Sequence, residues 1–180
     1  AMNRPARAPA NEHARPRARR RYFMDQQQQR AWEIMKSIGS CFFITKAGND
    51  EMHGRPMAPV VRPEEGKIYL LTHESDDKTS DHALADGVLL VFADSTRHLA
   101  LNATASVSRN AAKLEELWSP AATAFWPDGP KTPGVVAVEI EPTHCEYWDG
   151  KNPVVSAFKL MYARATKTKP DLGDNRKLAM

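Results

Sequence analysis

The sequence predicts a mainly β domain with a few short flanking helices, and three observations predict it. From His98 to Val107 the apolar residues Leu99, Leu101, Ala103, Ala105 and Val107 alternate with other positions, the period of a half-buried strand. Short apolar runs recur at CFFIT (41–45), IYLLT (68–72) and VLLVFA (88–93), each bounded by turn-forming residues. Roughly six or seven such segments follow one another through short connections, so antiparallel pairing dominates. A closed or partly closed barrel would remove the exposed edges.

The elements can be justified in order. Ala31, Ile34, Met35 and Ile38 recur at three- and four-residue steps, predicting a helix from Met24 to Ile38 that stops at Gly39. Cys41–Thr45 is a strand, and residues 47–51 (AGNDE) form a turn by composition. Met52–Val61 reads as extended, but Pro56 and Pro59 withhold ladder donors, so it should be an edge strand or carry a bulge. Ile68–Thr72 is the next strand. Ser75 can then cap a helix running to about Ala85. Val88–Ala93 and His98–Val107 are strands. Residues 110–118 and 120–125 read as two short helices. Residues 135–148 form a long strand region interrupted by Pro142. A helix over 154–165 ends the domain. The expected organisation is an Arg-rich extension over 1–23, one domain over 24–165 and a frayed tail over 166–180.

Composition bounds the class. The chain has 180 residues, 42% hydrophobic and 26% charged, the profile of a soluble protein able to bury a core without disulfides. No apolar run approaches the roughly 20 residues of a membrane span. Cys41 and Cys145 lie far apart in apolar surroundings and read as free thiols of a reducing cytoplasm. The net charge of +3 belongs to the N-terminal segment. Seven arginines and one glutamate give residues 1–23 a charge of +6, leaving −3 for residues 24–180. The preferred reading of that segment is an extension ahead of a start at Met24. Its rival is a nucleic-acid-binding arm, which the acidic body disfavours.

One constellation carries chemistry. After Ile68–Thr72 the chain leaves its apolar run and presents Thr72, Ser75 and Lys78 in close succession. A hydroxyl, a helix N-terminus and a lysine together suit a phosphate. Arg55 joins them if its strand pairs with Ile68–Thr72 as a hairpin, adding a fork of donors for two phosphate oxygens. The competing reading makes Ser75 a plain helix cap and Lys78 a solvated side chain. Trp118, Trp126 and Trp148 form a second group. Trp126, in the loop AFWPDG, suits the wall of a flat-ligand pocket, whereas Trp148 reads as core. His73-Glu74 lacks the spacing of a zinc protease, and no GxGxxG, P-loop or GxSxG motif occurs.

The segments RPM (55–57), IYLLTHESDDK (68–78), VLLVFAD (88–94), AFWPDG (124–129) and VAVEIEPTHCEYWDG (136–150), in that order, resemble the pyridoxamine 5′-phosphate oxidase-like FMN-binding split-barrel proteins. The likeness is greatest to the general stress protein 26 branch. The resemblance implies a six-stranded antiparallel split β-barrel with flanking helices. It also implies a homodimer with flavin sites between subunits, and FMN as cofactor with FAD the alternative. By the same resemblance Arg55, Thr72, Ser75 and Lys78 would hold the phosphate. Pro56, Met57 and Leu71 would lie along the cofactor, and Trp126 would stand near the flavin ring. The implied function is a flavin-binding general stress protein that exchanges electrons with a small molecule. Its alternative is a protein that stores or senses flavin without turnover. Two departures qualify the match. Asn102-Ala103 stands where the family has glycine followed by a small residue. The C-terminal arginine-and-histidine substrate motif is missing, which disfavours vitamin B6 oxidation.

Overall fold

Helix α1 (Gln26–Ile38) begins where Asp25 caps it. The Asp25 carboxylate accepts from the backbone N–H of Gln28 at 3.3 Å, and the Gln28 side chain accepts from that of Asp25 at 3.3 Å. This reciprocal capping satisfies donors the helix cannot pair internally. Gly39 ends it at φ 69°, a conformation cheap only for glycine. The buried stripe is Ala31, Trp32, Ile34 and Met35. The computed structural model describes residues 25–46, 51–74, 84, 87–150 and 173–180. The Arg-rich extension and the helices expected over 75–85 and 154–165 lie outside the described residues.

Eight strands follow among the described residues: β1 (Cys41–Lys46), β2 (Met52–Met57), β3 (Pro59–Arg62), β4 (Lys67–His73), β5 (Val88–Ala93), β6 (Arg97–Ser108), β7 (Val135–Gly150) and β8 (Gly173–Ala179). Between β6 and β7 lie helices α2 (Ala111–Leu117) and α3 (Pro120–Phe125), capped by Asn110 and Ser119. All strand pairs are antiparallel, in the order β2-β1-β5-β6-β7-β4-β3, with β8 added on β7. Only Ala58 separates β2 from β3, so the two ends of this path are one chain segment. The sheet therefore curls until its ends meet, and the seam of the resulting split barrel lies at Ala58.

The expectation of six strands needs two corrections. Met52–Val61 is divided at Ala58, because the segment pairs with β1 on one side of the seam and with β4 on the other. The C-terminal segment, expected to fray, supplies β8, whose residues Gly173–Ala179 pair with Gly150–His144. Leu178 and Met180 pack against the core. Pro142 does not interrupt β7. The register against β6 slips between Asn102 and Ala103, leaving Thr143 as the extra residue. Its hydroxyl donates to the Asn102 carbonyl at 3.0 Å. The bulge absorbs the missing N–H of proline and falls at the Asn-Ala pair that departs from the family pattern.

Two apolar clusters flank the sheet. The inner one joins α1 to the inward residues Cys41, Phe43, Ile68, Leu70, Leu90, Phe92, Leu99, Leu101, Val138 and Ile140. The outer one joins Tyr69, Val135 and Ala137 to Leu114 and Leu117 of α2, with Leu71, Trp118 and Trp126 packed against it. Trp148, expected in the core, is 41% exposed. Its strand neighbour Tyr147 takes the inward position instead.

Candidate functional site at the barrel seam

The seam brings several expected residues to one face. Arg55 lies opposite Phe43, and Met57 opposite Cys41. Phe43 and Cys41 are buried in the inner cluster, and directly paired residues share a face, so Arg55 and Met57 are inward positions. Thr72 lies two and four residues beyond the buried Leu70 and Ile68, which places it on the same inward face, and it is 2% exposed. The β3–β4 pairing ends at Pro59–Leu70. Continued by two residues, it would set Met57 against Thr72. Instead β2 turns onto β1, so β2 parts from β4 here, with Arg55, Met57 and Thr72 on the inward side of the seam.

Arg55 is the distinctive member. Its Nη1 is buried and has no hydrogen-bond partner among the described residues. An unmatched buried donor costs about 1–3 kcal/mol, more when charged. Such a donor is free to take an acceptor. A phosphate oxygen fits, because a guanidinium N–H makes its strongest hydrogen bonds to anions.

Other expected residues fall elsewhere. Pro56 is exposed and points outward beside Phe42. Leu71 and Trp126 belong to the outer cluster, so the sheet separates them from the Arg55 side chain. Trp126 packs with Trp118 and Phe125, ring centroids 6.0 Å apart in both cases. The Trp118 indole N–H donates to Thr123 Oγ1 at 3.0 Å. Trp148 is not part of this group. Ser75 and Lys78 lie outside the described residues.

Sequence reading missed three features. Thr45, 3% exposed, continues the inward alternation of Cys41 and Phe43, and its pair with His53 lies two along from the Phe43–Arg55 pair. That alternation was its available signal. Gly54 leaves room for the Phe42 ring, since a Cβ there would come within 2.3 Å of it. A glycine inside a strand was the clue to this close approach. The third is a charged knot on the outer side. Lys113 Nζ donates to both Glu65 oxygens at 3.0 and 2.9 Å and to Glu116 at 3.0 Å. Tyr69 donates its hydroxyl to Glu65 at 2.5 Å, with the Lys113 ammonium 4.9 Å from its ring centroid. Hydrogen bonding from Tyr69, then from Lys113, holds the Glu65 carboxyl below its usual range. Burial, then the bond to Glu65, pushes Tyr69 up to about 12. No sequence pattern announces a knot spanning 48 residues.

Among the described residues no cluster of three or more histidine, cysteine, aspartate or glutamate side chains could hold a metal. Among them, too, no helix is long and apolar enough to cross a membrane. Cys41 and Cys145 are free and buried, and burial pushes both thiols up to about 12. They are poor nucleophiles near neutral pH.

Together these features define an antiparallel split-barrel protein with a buried arginine at its seam. The model of the family described as pyridoxamine 5′-phosphate oxidase like matches residues 26–171, and the chain belongs to that family. No curated protein matches the chain. Among solved structures, the chain is similar to a candidate general stress protein 26 from Jannaschia sp. CCS1. The TM-score is 0.71 at 20% identity, over 87% of this chain and 100% of that one. It is similar to a protein related to general stress protein 26 from Clostridium acetobutylicum, with a TM-score of 0.61 at 18% identity over 87% and 97%. A third is the general stress FMN/FAD binding protein of Xanthomonas citri, with a TM-score of 0.60 at 19% identity over 69% and 89%. At these identities the likeness is one of fold.

Proposed function

We propose that the chain is a general stress protein of this family that binds FMN at the seam and works as a homodimer. The observation that carries the reading is the buried Nη1 of Arg55 on the inward side of the seam, without a hydrogen-bond partner among the described residues. The Arg55 guanidinium binds the phosphate, with Thr72 beside it and with Ser75 and Lys78 as further donors. Backbone groups from Pro56 to Ala58 line the rest of the cofactor path, whereas Leu71 and Trp126, on the outer side of the sheet, take no part in it. The X. citri protein of the same fold is described as FMN/FAD binding, which supports the cofactor class and leaves FAD as the rival ligand.

A bound flavin supplies reversible electron transfer, and the chain supplies binding, orientation and electrostatics. Electron exchange with a small donor or acceptor is the activity proposed. Dimerisation is supported by the outer face of β1 and β2, where Phe42 is 47% and Met52 60% exposed. Apolar surface of this kind is suited to a protein neighbour. Light scattering on the purified chain checks it, a monomer being the refuting result. Free buried thiols suit a reducing cytoplasm.

The absorbance spectrum of the purified protein tests the cofactor. A flavin spectrum and FMN released on heating are expected. A colourless protein that also fails to bind added FMN overturns the reading. Steady-state NADH or NADPH oxidation separates an enzyme from a flavin store. Rates no faster than those of free FMN assign the chain to storage or sensing.

A further inference from the structure

Among the described residues the buried polar side chains are those of Thr45 and Thr72. Thr72 already stands at the seam with Arg55. Thr45 has no such account. It is the third inward residue of β1, after Cys41 and Phe43, and the inner cluster on β1, β5 and β6 is otherwise apolar, with Phe43, Val88, Leu90, Leu101 and Ala103 among its members. A valine would fill the same volume without a polar atom, and it suits a strand at least as well. A hydroxyl kept in such a place costs free energy unless it makes a hydrogen bond.

The strand register relates this hydroxyl to Arg55. Thr45 pairs with His53, and Phe43 pairs with Arg55, so Thr45 and Arg55 are diagonal neighbours on one face. Such neighbours lie about 7–8 Å apart, within reach of a long side chain. His53, directly opposite Thr45, is exposed, with its Nε2 3.8 Å from Glu51. Arg55 Nη1 is buried without a partner among the described residues, so the Thr45 hydroxyl does not bond it. An oxyanion can bridge two such groups, one oxygen accepting from Nη1 and another from the hydroxyl. A phosphate monoester offers three strong acceptor oxygens for this purpose.

We propose that Thr45 is a further ligand-binding residue, whose hydroxyl donates to the same anionic group that Arg55 grips. The inference rests on the flavin reading, which makes that group the FMN phosphate. It adds a donor on β1 to those on β2 and β4.

The test uses the full chain with Thr45→Val and Thr45→Ser, titrated with FMN and with riboflavin, which lacks the phosphate. Thr45→Val weakens FMN about tenfold and leaves riboflavin within about threefold of wild type. Thr45→Ser keeps the hydroxyl and holds FMN within about threefold. In an Arg55→Ala background, where the grip on the phosphate is already lost, Thr45→Val changes FMN affinity by no more than about threefold. Thr45→Ala makes the same comparison should Thr45→Val fail to fold. FMN bound equally well by wild type and Thr45→Val overturns the proposal. So does an equal loss of FMN and riboflavin, which would make Thr45 a packing residue, and so does a Thr45→Ser variant as weak as Thr45→Val. Fully additive losses in the double variant overturn it as well, because the two side chains would then hold different groups. A wild-type chain that binds neither FMN nor riboflavin overturns the flavin reading itself, a result told apart by the wild-type titration alone.

Discussion

The seam and the outer knot each set a basic side chain against the same sheet, and they differ in one respect. At the knot every strong donor has an acceptor: Lys113 meets Glu65 and Glu116, and Tyr69 meets Glu65. At the seam Arg55 Nη1 is buried with no acceptor among the described residues. A satisfied cation holds structure together. An unsatisfied buried one costs free energy that an incoming acceptor would recover. On the proposed reading the difference separates a residue that maintains the fold from one that binds.

The largest expected effect breaks the seam side. Arg55→Ala should weaken FMN by about 100-fold, as two charge-assisted bonds of about 1.5 kcal/mol each disappear. Arg55→Ala combined with Lys78→Ala should leave no flavin through purification. Riboflavin, which lacks the phosphate, should bind wild type and Arg55→Ala within about threefold of each other, a difference below 1 kcal/mol. Isothermal titration with both ligands checks this. Equal losses for FMN and riboflavin would show that Arg55 shapes the pocket and does not grip the phosphate.

The fold was legible wherever apolar residues kept a period. The α1 stripe, the three apolar runs and the alternation of β6 all appear where the pattern put them. What escaped had no period to read. GDNRKLA carries three charges in seven residues and one inward apolar side chain, Leu178. It becomes a strand because β7 offers its free edge beyond the stretch that pairs with β4. The division at Ala58 escaped for a related reason. Prolines marked the anomaly, yet only the closure of the sheet decides that one segment must serve two partners. Of the site, Arg55 was legible as a donor but not as an unpaired one. Burial of a single nitrogen is a property of packing around it. Trp126 was legible as an aromatic in a loop. Its place behind the sheet depends on Trp118 and on a knot assembled from distant residues.

Stability measurements should sharpen the contrast in the opposite direction. Lys113→Met should cost about 1–2 kcal/mol in the cofactor-free protein, since it strips two carboxylates and a hydroxyl network of their shared partner. Arg55→Leu should cost nothing or stabilise the same protein by up to about 1 kcal/mol, because it replaces an unmatched buried donor with apolar surface. Urea denaturation of both variants without flavin checks the pair. A loss at Arg55→Leu as large as that at Lys113→Met would make Arg55 a structural residue and erase the distinction.

The smallest effect is the pH dependence of the knot, and its sign follows from the two titrating groups. The Glu65 carboxyl is held below its usual value by Tyr69 and Lys113. Its contribution is therefore complete above the unfolded value of about 4.3 and fades as pH falls through the lower folded value. Tyr69 is pushed up to about 12. Its contribution is complete below the unfolded value of about 10 and fades as pH rises through the folded one. The knot is thus at full strength from about pH 4 to about pH 10. Comparing wild type with Glu65→Gln isolates it from Asp94 and Glu74, whose carboxyls are also held low by Arg97 and Arg109. The stability difference between the two proteins should stay flat from pH 5 to 9 and shrink below about pH 4. A difference that keeps its size into acid would mean that the Glu65 charge does not hold the knot.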